Sequence, residues 1–328
     1  MNRAQTAKLK QIFGRAKTIL LTTHRNPDGD GIGSGLALMS CLLRSGKKVD
    51  FINRDAVPGI YNFLEMSKKI RRAREVKKHY DLVVFLECPD FERCGSIIDP
   101  EKYAAYSLNI DHHLGNEMYA DYNIVDPKAP AVGMQLFNFM KMAKWGIDKN
   151  AAEGLYTAII TDTGSFAYSN TTPEVHLAAA ELLKAGARPV RISSQVYSTT
   201  EESTSLLSAM LSNVRVERSV GYSYISMKMF EKTKASDSET DNFINSIRAI
   251  RNVDVAVLFK EYGPAIVKVS FRSKTGVDVN KIANALSGGG HKYAAGCVVR
   301  KPLKEAMRLV LGKVHKSIKK SRGKSRLK

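Results

Sequence analysis

Cysteine is scarce in this chain, long apolar runs are missing, and acidic residues are outnumbered by basic ones. The four cysteines, Cys41, Cys88, Cys94 and Cys297, form no CxxC pair and repeat no spacing. That argues against structural zinc and for reduced thiols, with no pointer to redox chemistry. No stretch of about eighteen apolar residues occurs, so no transmembrane helix is expected. The opening MNRAQTAKLKQIFGRAK is charged and amphipathic and lacks an apolar signal core, which points to a cytoplasmic protein with no membrane partner. No internal repeat is visible. Hydrophobic residues, by contrast, make up 44% of the chain, too many for a disordered polymer. They are spread over 328 residues, a length that fits two domains better than one.

Lysine and arginine number 51 against 32 aspartates and glutamates, a formal net charge of +19. Residues 313–328 hold eight Lys or Arg and no acid, and without them the body still carries +11. A second cluster, KKIRRAREVKK at 68–78, sets seven basic residues against one glutamate. Either run alone reads as a solvated face or a disordered end. Together they favour a polyanionic partner, nucleic acid or nucleotide ahead of a membrane.

The first half alternates strands and helices. Buried strands are expected at 18–23 (TILLTT), 48–53 (KVDFIN), 81–86 (DLVVFL) and 106–110 (YSLNI), and helices at 35–44, 131–143, 151–161 and 173–185. Such alternation predicts an α/β fold with a doubly wound parallel sheet, in which ligand groups gather at the C-terminal strand ends. After Pro189 the pattern changes to a polar, Ser/Thr-rich connector. Strands at 221–227, 253–259 and 265–271 then suggest a second, smaller mixed-sheet α/β domain. The expected boundaries are 1–188 for the first domain, 189–213 for a helical connector, 214–312 for the second domain and 313–328 for a basic tail.

Acid concentrates where these strands end. The first runs into LLTTHRNPDGDGIGSG, with His24, Asp28 and Asp30; the third ends at Glu87, the fourth at Asp111-His112-His113, and a helix runs into Thr161-Asp162-Thr163-Gly164. Taken singly, His24 reads as a satisfied histidine beside a turn and Asp162 as a cap. In a parallel sheet, however, all four places converge on one edge. Two carboxylates one residue apart repel unless positive charge sits between them, and two divalent ions about 3.5–4 Å apart would supply it. Mixed carboxylate and imidazole ligands suit manganese, iron or zinc, with Mn2+ favoured where oxygen predominates. A glycine-rich loop around such a site lets backbone approach metals and phosphate closely. Metals inside a basic protein point to phosphoester hydrolysis.

In order, HRNPDGDGIGS, FLECPDFERCG, DHH and TDTGSF resemble the four motifs of the DHH phosphoesterase superfamily, and FRS at 271–273 with GGGHKYAAG at 288–296 resembles the DHH-associated nucleic-acid-binding domain. The set spans nearly the whole chain apart from the basic tail. It looks like the compact two-domain subgroup that degrades nanoRNA and dephosphorylates 3′-phosphoadenosine 5′-phosphate. The resemblance implies that His24 and Asp28 hold one metal, that Asp30, His112 and Asp162 hold the other, and that Glu87 bridges them. Asp30, Glu87, His112, His113 and Asp162 would then form the catalytic set, Asp111 would orient His112, and His113 and Arg93 would face the substrate phosphate. In the second domain, Gly288, Gly289 and Gly290 would bring backbone to the substrate, and Arg272, Ser273 and His291 would bind phosphate or hydroxyl groups. Two positions depart from the pattern: Glu87 stands where most relatives have aspartate, and Ala167 where many have arginine.

The expectation is therefore a two-metal, Mn2+-dependent phosphoesterase that trims very short RNA to mononucleotides, with a cleft between domains limiting substrate length. Short RNA and nucleotide phosphates are the expected partners, and a homodimer stays open. The alternatives are a phosphodiesterase for linear or cyclic dinucleotides, a phosphatase acting mainly on 3′-phosphoadenosine 5′-phosphate, and a single-strand exonuclease. From a different class, a non-catalytic nucleic-acid-binding protein would have no need of the ligand set.

Overall fold

The computed structural model describes residues 2–240, 242–274 and 277–325, without the side chains of residue 291 and of 319–325. The chain divides into two compact units, Met1–Ser198 and Thr199–Lys328. The first runs α1 (Arg3–Arg15), β1 (Thr18–Thr23), α2 (Gly29–Arg44), β2 (Lys48–Asn53), β3 (Ile70–Arg72), β4 (Tyr80–Leu86), α3 (Pro100–Tyr103), β5 (Ala104–Asp111), β6 (Tyr122–Val125), α4 (Val132–Ala143), α5 (Lys149–Asp162), α6 (Pro173–Lys184) and α7 (Pro189–Val196). Its six strands form one sheet in the order β3-β2-β1-β4-β5-β6, every pair parallel.

The strands read as nearly continuous apolar runs because both faces are covered. Ile19, Leu21, Leu82, Val84 and Leu86 pack with residues of α1, α2, α4 and α5. The alternate residues Leu20, Val83 and Phe85 meet Cys88, Cys94, Ile97 and Ile98 from the segment after β4. All four cysteines are buried and free. From β1 the chain adds β2 and β3 on one side and then returns to add β4, β5 and β6 on the other. This reversal opens a crevice beyond the C-terminal ends of β1 and β4, the usual ligand position in such sheets.

The second unit runs α8 (Glu201–Ser212), β7 (Arg215–Glu217), β8 (Val220–Ile225), α9 (Met227–Thr233), α10 (Phe243–Ala249), β9 (Val255–Gly263), β10 (Ile266–Ser273), α11 (Val279–Asn284), β11 (Gly289–His291), β12 (Ala294–Val299) and α12 (Leu303–Ser325). Its sheet has the order β11-β12-β10-β9-β8-β7. It is mixed, because β8 and β9 pair parallel while the other neighbours pair antiparallel. Val257 and Phe259 pack toward α11 and α12, whereas Ala256 and Leu258 pack toward α8 and α10.

Three details differ from the sequence expectations. The connector span holds two helices, α7 in the first unit and α8 in the second. Residues 313–325 continue α12, which carries Val310, Val314 and Ile318 into the core. Helix α2 begins six residues early, at Gly29, so its glycines lie in a helix rather than a loop. Asp28 caps it, its Oδ1 accepting the N–H groups of Asp30 at 3.0 Å and Gly31 at 3.1 Å.

Candidate metal centre

The crevice gathers the four expected strand and helix ends. One group of ligand-capable atoms comprises His24, Asp28 and Glu87, another Asp30, Glu87, His112 and Asp162, and a third Glu87, His112 and His113. His24 Nε2 lies 3.7 Å from Asp28 Oδ2 and 3.5 Å from Glu87 Oε2. His112 Nε2 lies 3.2 Å from Asp162 Oδ2 and 3.9 Å from both Asp30 Oδ2 and Glu87 Oε1. Glu87 therefore belongs to every group. It sits one residue past β4 with φ 58°, a left-handed backbone that costs a non-glycine residue strain and recurs at functional sites. Gly31 makes room for it: a Cβ there would lie 2.3 Å from Thr23 Oγ1 and 3.1 Å from Glu87 Oε2.

Backbone groups aim the side chains. His24 Nδ1 lies 2.7 Å from the Arg25 carbonyl and His112 Nδ1 3.1 Å from the Ala129 carbonyl. A carbonyl only accepts, so each Nδ1 carries a proton and each Nε2 faces the carboxylates. Asp30, fully buried, accepts the N–H groups of Val132 at 2.6 Å and Gly133 at 2.8 Å, with Ser34 Oγ at 2.9 Å. The first turn of α4 thus offers its otherwise unpaired donors to this carboxylate. The glycines of α2 have a packing role, since Gly33 faces Gly154 of α5 at backbone contact.

One expected role is corrected. Asp111 does not orient His112; its Oδ1 binds His113 Nδ1 at 2.8 Å and its Oδ2 accepts from Asn116 Nδ2 at 2.6 Å. Neighbouring residues at a strand end point to opposite sides, so an aspartate reaches the second histidine along more readily than the first. Sequence reasoning missed Ser34, four positions from Asp30, and Asn116, five positions from Asp111. Arg93 lies outside the ligand groups, exposed on the segment after β4.

The electrostatics are those of concentrated buried acid. Burial raises Asp30, and Glu87's charge adds to this, bringing its pKa to about 8. Asp162 is likewise pushed well up by burial and by Asp30. Burial disfavours the charged form of His24, but Asp28 and Glu87 outweigh it and hold its pKa well above the usual value; Glu87, Asp162 and Asp30 do the same for His112. Asp111 moves the other way. His113 and Asn116 overcome its burial and bring it to about 2.

Residues 18–159 match the family model of the DHH family, N-terminal domain, and residues 218–320 that of the DHHA1 domain. The chain carries a DHH domain followed by a DHHA1 domain. It is similar to the bifunctional oligoribonuclease and PAP phosphatase NrnA of Thermus thermophilus, 29% identical over 86% of this chain and 84% of that one. The Bacillus subtilis protein of the same name is 28% identical over 86% and 89%. Among solved structures, an exopolyphosphatase-related protein from Bacteroides fragilis superimposes with a TM-score of 0.89 at 26% identity, covering 96% of each chain.

In the DHHA1 domain, the GGGH stretch is extended: Gly289, Gly290 and His291 form β11 and pair with Gly296, Ala295 and Ala294 of β12. Gly290 has φ 138°, and a Cβ there would meet the Ala294 carbonyl at 2.6 Å; one at Gly288 would meet the Gly296 carbonyl at 2.2 Å. At Gly289 a Cβ would make only ordinary contact, 3.8 Å from Asn284 Oδ1. Arg272 is half-buried on β10, its Nη1 donating to the Phe271 carbonyl. Ser273 beside it is 3% exposed, with no hydrogen-bond partner for its hydroxyl among the described residues. The side chain of His291 lies outside the described residues. No helix among those residues is long and apolar enough to cross a membrane.

Proposed function

We propose that this chain is a phosphoesterase dependent on two divalent cations, most readily Mn2+, that hydrolyses very short RNA to mononucleotides and 3′-phosphoadenosine 5′-phosphate to AMP. One observation carries the chemistry: Glu87 turns one carboxylate oxygen to His24 and the other to His112. A single side chain thereby joins the His24 group to the His112 groups. The donor set fits the cations. Oxygen outnumbers imidazole nitrogen, which suits Mn2+, and the buried Oε2 of Glu87 has no hydrogen-bond partner among the described residues. His24 and Asp28 would hold one ion, Asp30, His112 and Asp162 the other, with Glu87 between them.

Such a pair, when bound, lowers the pKa of a water and neutralises charge on a phosphoryl group. The chain's own residues prepare for that chemistry. The carbonyls of Arg25 and Ala129 fix both imidazole tautomers, and the N-terminus of α4 fixes Asp30. Asp111 holds the His113 ring 5.3 Å from that of His112, where it would face a substrate phosphate together with Arg93. In the second unit, Gly288, Gly289 and Gly290 would bring backbone to a nucleotide, and Arg272, Ser273 and His291 would bind phosphate or hydroxyl groups. The substrate class follows from the relatives' names and agrees with the net charge of +19.

The test is direct. Purified protein with Mn2+ should release mononucleotides from RNA dinucleotides and trinucleotides, stop in chelator and recover when Mn2+ is restored. Asp30→Asn keeps one of the two oxygens that accept from α4 and removes the charge, so a variant shown by circular dichroism to be folded should still lose at least about 10²-fold in turnover. Full turnover in excess chelator would overturn the reading.

A further inference from the structure

The basic stretch at 68–78 divides into two parts. Arg71 and Lys78 each place a nitrogen 2.8 Å from a carboxylate oxygen of Asp50 on β2, so their charge is neutralised. Among the described residues, Arg72 and Arg74 have no such partner. Arg72 ends β3 and donates from Nε to the Arg54 carbonyl at 3.3 Å, while Arg54, one residue beyond β2, donates from Nη1 to the Arg74 carbonyl at 2.8 Å. The stem of Arg54 packs on Gly95, where a Cβ would lie 2.6 Å from Arg54 Cβ and 3.2 Å from Arg25 Cγ. Arg25 in turn gives its backbone N–H to the Arg93 carbonyl at 2.7 Å.

Five arginines therefore sit side by side beyond the C-terminal ends of β1, β2, β3 and β4. Four are exposed, and Arg54 is half-buried. Among the described residues of this unit, the arginine ion pairs belong instead to Arg44, Arg71 and Arg191. Asp55 accepts the Asn26 N–H, Asp90 the Arg93 N–H, and Glu75 pairs with Lys77.

Packed like charges repel one another, and a guanidinium fork matches the oxygens of a phosphate. The row also begins at the metal centre, since the Arg25 carbonyl is the group that fixes the His24 ring. We propose that Arg25, Arg54, Arg72, Arg74 and Arg93 form a track for the backbone phosphates of single-stranded RNA beyond the linkage cleaved at the metals. Two strand spacings separate β1 from β3, about 10 Å, room for roughly one or two further phosphates. The substrate in this assignment rests on the oligoribonuclease reading.

The experiment pairs Arg72→Gln/Arg74→Gln with a charge-matched control, Arg71→Gln/Lys77→Gln. Anisotropy of a labelled RNA pentanucleotide in chelator measures binding without hydrolysis, and Mn2+-supported turnover of dinucleotide and pentanucleotide follows separately. Loss of two phosphate contacts should flatten the log–log salt dependence of pentanucleotide binding by about 1.4, at about 0.7 per contact for a single strand. Binding at low salt should weaken roughly tenfold, with dinucleotide turnover unchanged and the control near the parent. An unchanged salt slope, or an equal change in the control, overturns the track. If the parent hydrolyses neither RNA yet the slope falls only in Arg72→Gln/Arg74→Gln, the track stands and the hydrolase reading fails.

Discussion

Gly33→Ala would place one methyl group where two helices already touch. A Cβ at Gly33 would lie 2.3 Å from the Gly154 carbonyl oxygen and 3.0 Å from the Ala158 nitrogen, both on α5. These obstacles are backbone atoms, so relief requires α2 and α5 to part by about 1 Å to reach ordinary contact. Overpacking of this kind costs roughly 1–3 kcal/mol, and alanine's better helix propensity offsets about 1 kcal/mol of it. A net loss of up to about 2 kcal/mol should lower the melting temperature of a unit this size by up to about 8 °C. The displacement reaches the site, because Asp30 lies in the first turn of α2 and Asp162 ends α5; parting them should weaken Mn2+ binding. Calorimetric melting and Mn2+ titration read the two effects. Gly14→Ala in α1 is the control: its Cβ would meet nothing within 4 Å, so it should melt at or slightly above the parent. Unchanged melting and Mn2+ affinity in Gly33→Ala would refute the packing argument.

Metal binding should release protons. With Asp30 at about 8 and both His24 and His112 raised, the metal-free centre is protonated at neutral pH, so Mn2+ affinity should climb as pH rises through about 8. Titration calorimetry in buffers of different ionisation enthalpy would count the protons, and zero net release at pH 7 would contradict the assignment. Asp111→Asn should leave Mn2+ content unchanged while turnover falls about 10–100-fold, the usual scale for a lost orienting carboxylate, because its partner is His113; loss of metal would restore the discarded link to His112. Since Asp111 is lowered from 3.8 to about 2 in the folded protein, it contributes stability above pH about 4 that disappears as pH falls through about 2, and the variant's acid unfolding should lack that component.

Much of the fold was legible because buried parallel strands must be apolar on both faces. TILLTT and KVDFIN coincide with β1 and β2, and every predicted ligand lies at or beyond the strand or helix end from which it was read. Strands β3, β6 and β7 escaped notice because three or four residues carry no period. β12, AAGCVV, was missed because its first half is small residues with little strand preference.

The sequence by itself determined which residues would form the candidate site: motif order names His24, Asp28, Asp30, Glu87, His112 and Asp162, and parallel strands can only carry them to one edge. Tertiary structure alone decided how those residues are used. Whether GDGIGSG is loop or helix depends on Gly154, more than a hundred residues away, against which Gly33 must fit. Which histidine Asp111 serves depends on the side from which each side chain leaves the strand end. Which arginines of one basic run stay unneutralised depends on Asp50 lying across the sheet from Arg71 and Lys78. Each is a contact between distant stretches of chain, and local pattern holds no record of a neighbour that folding has yet to bring.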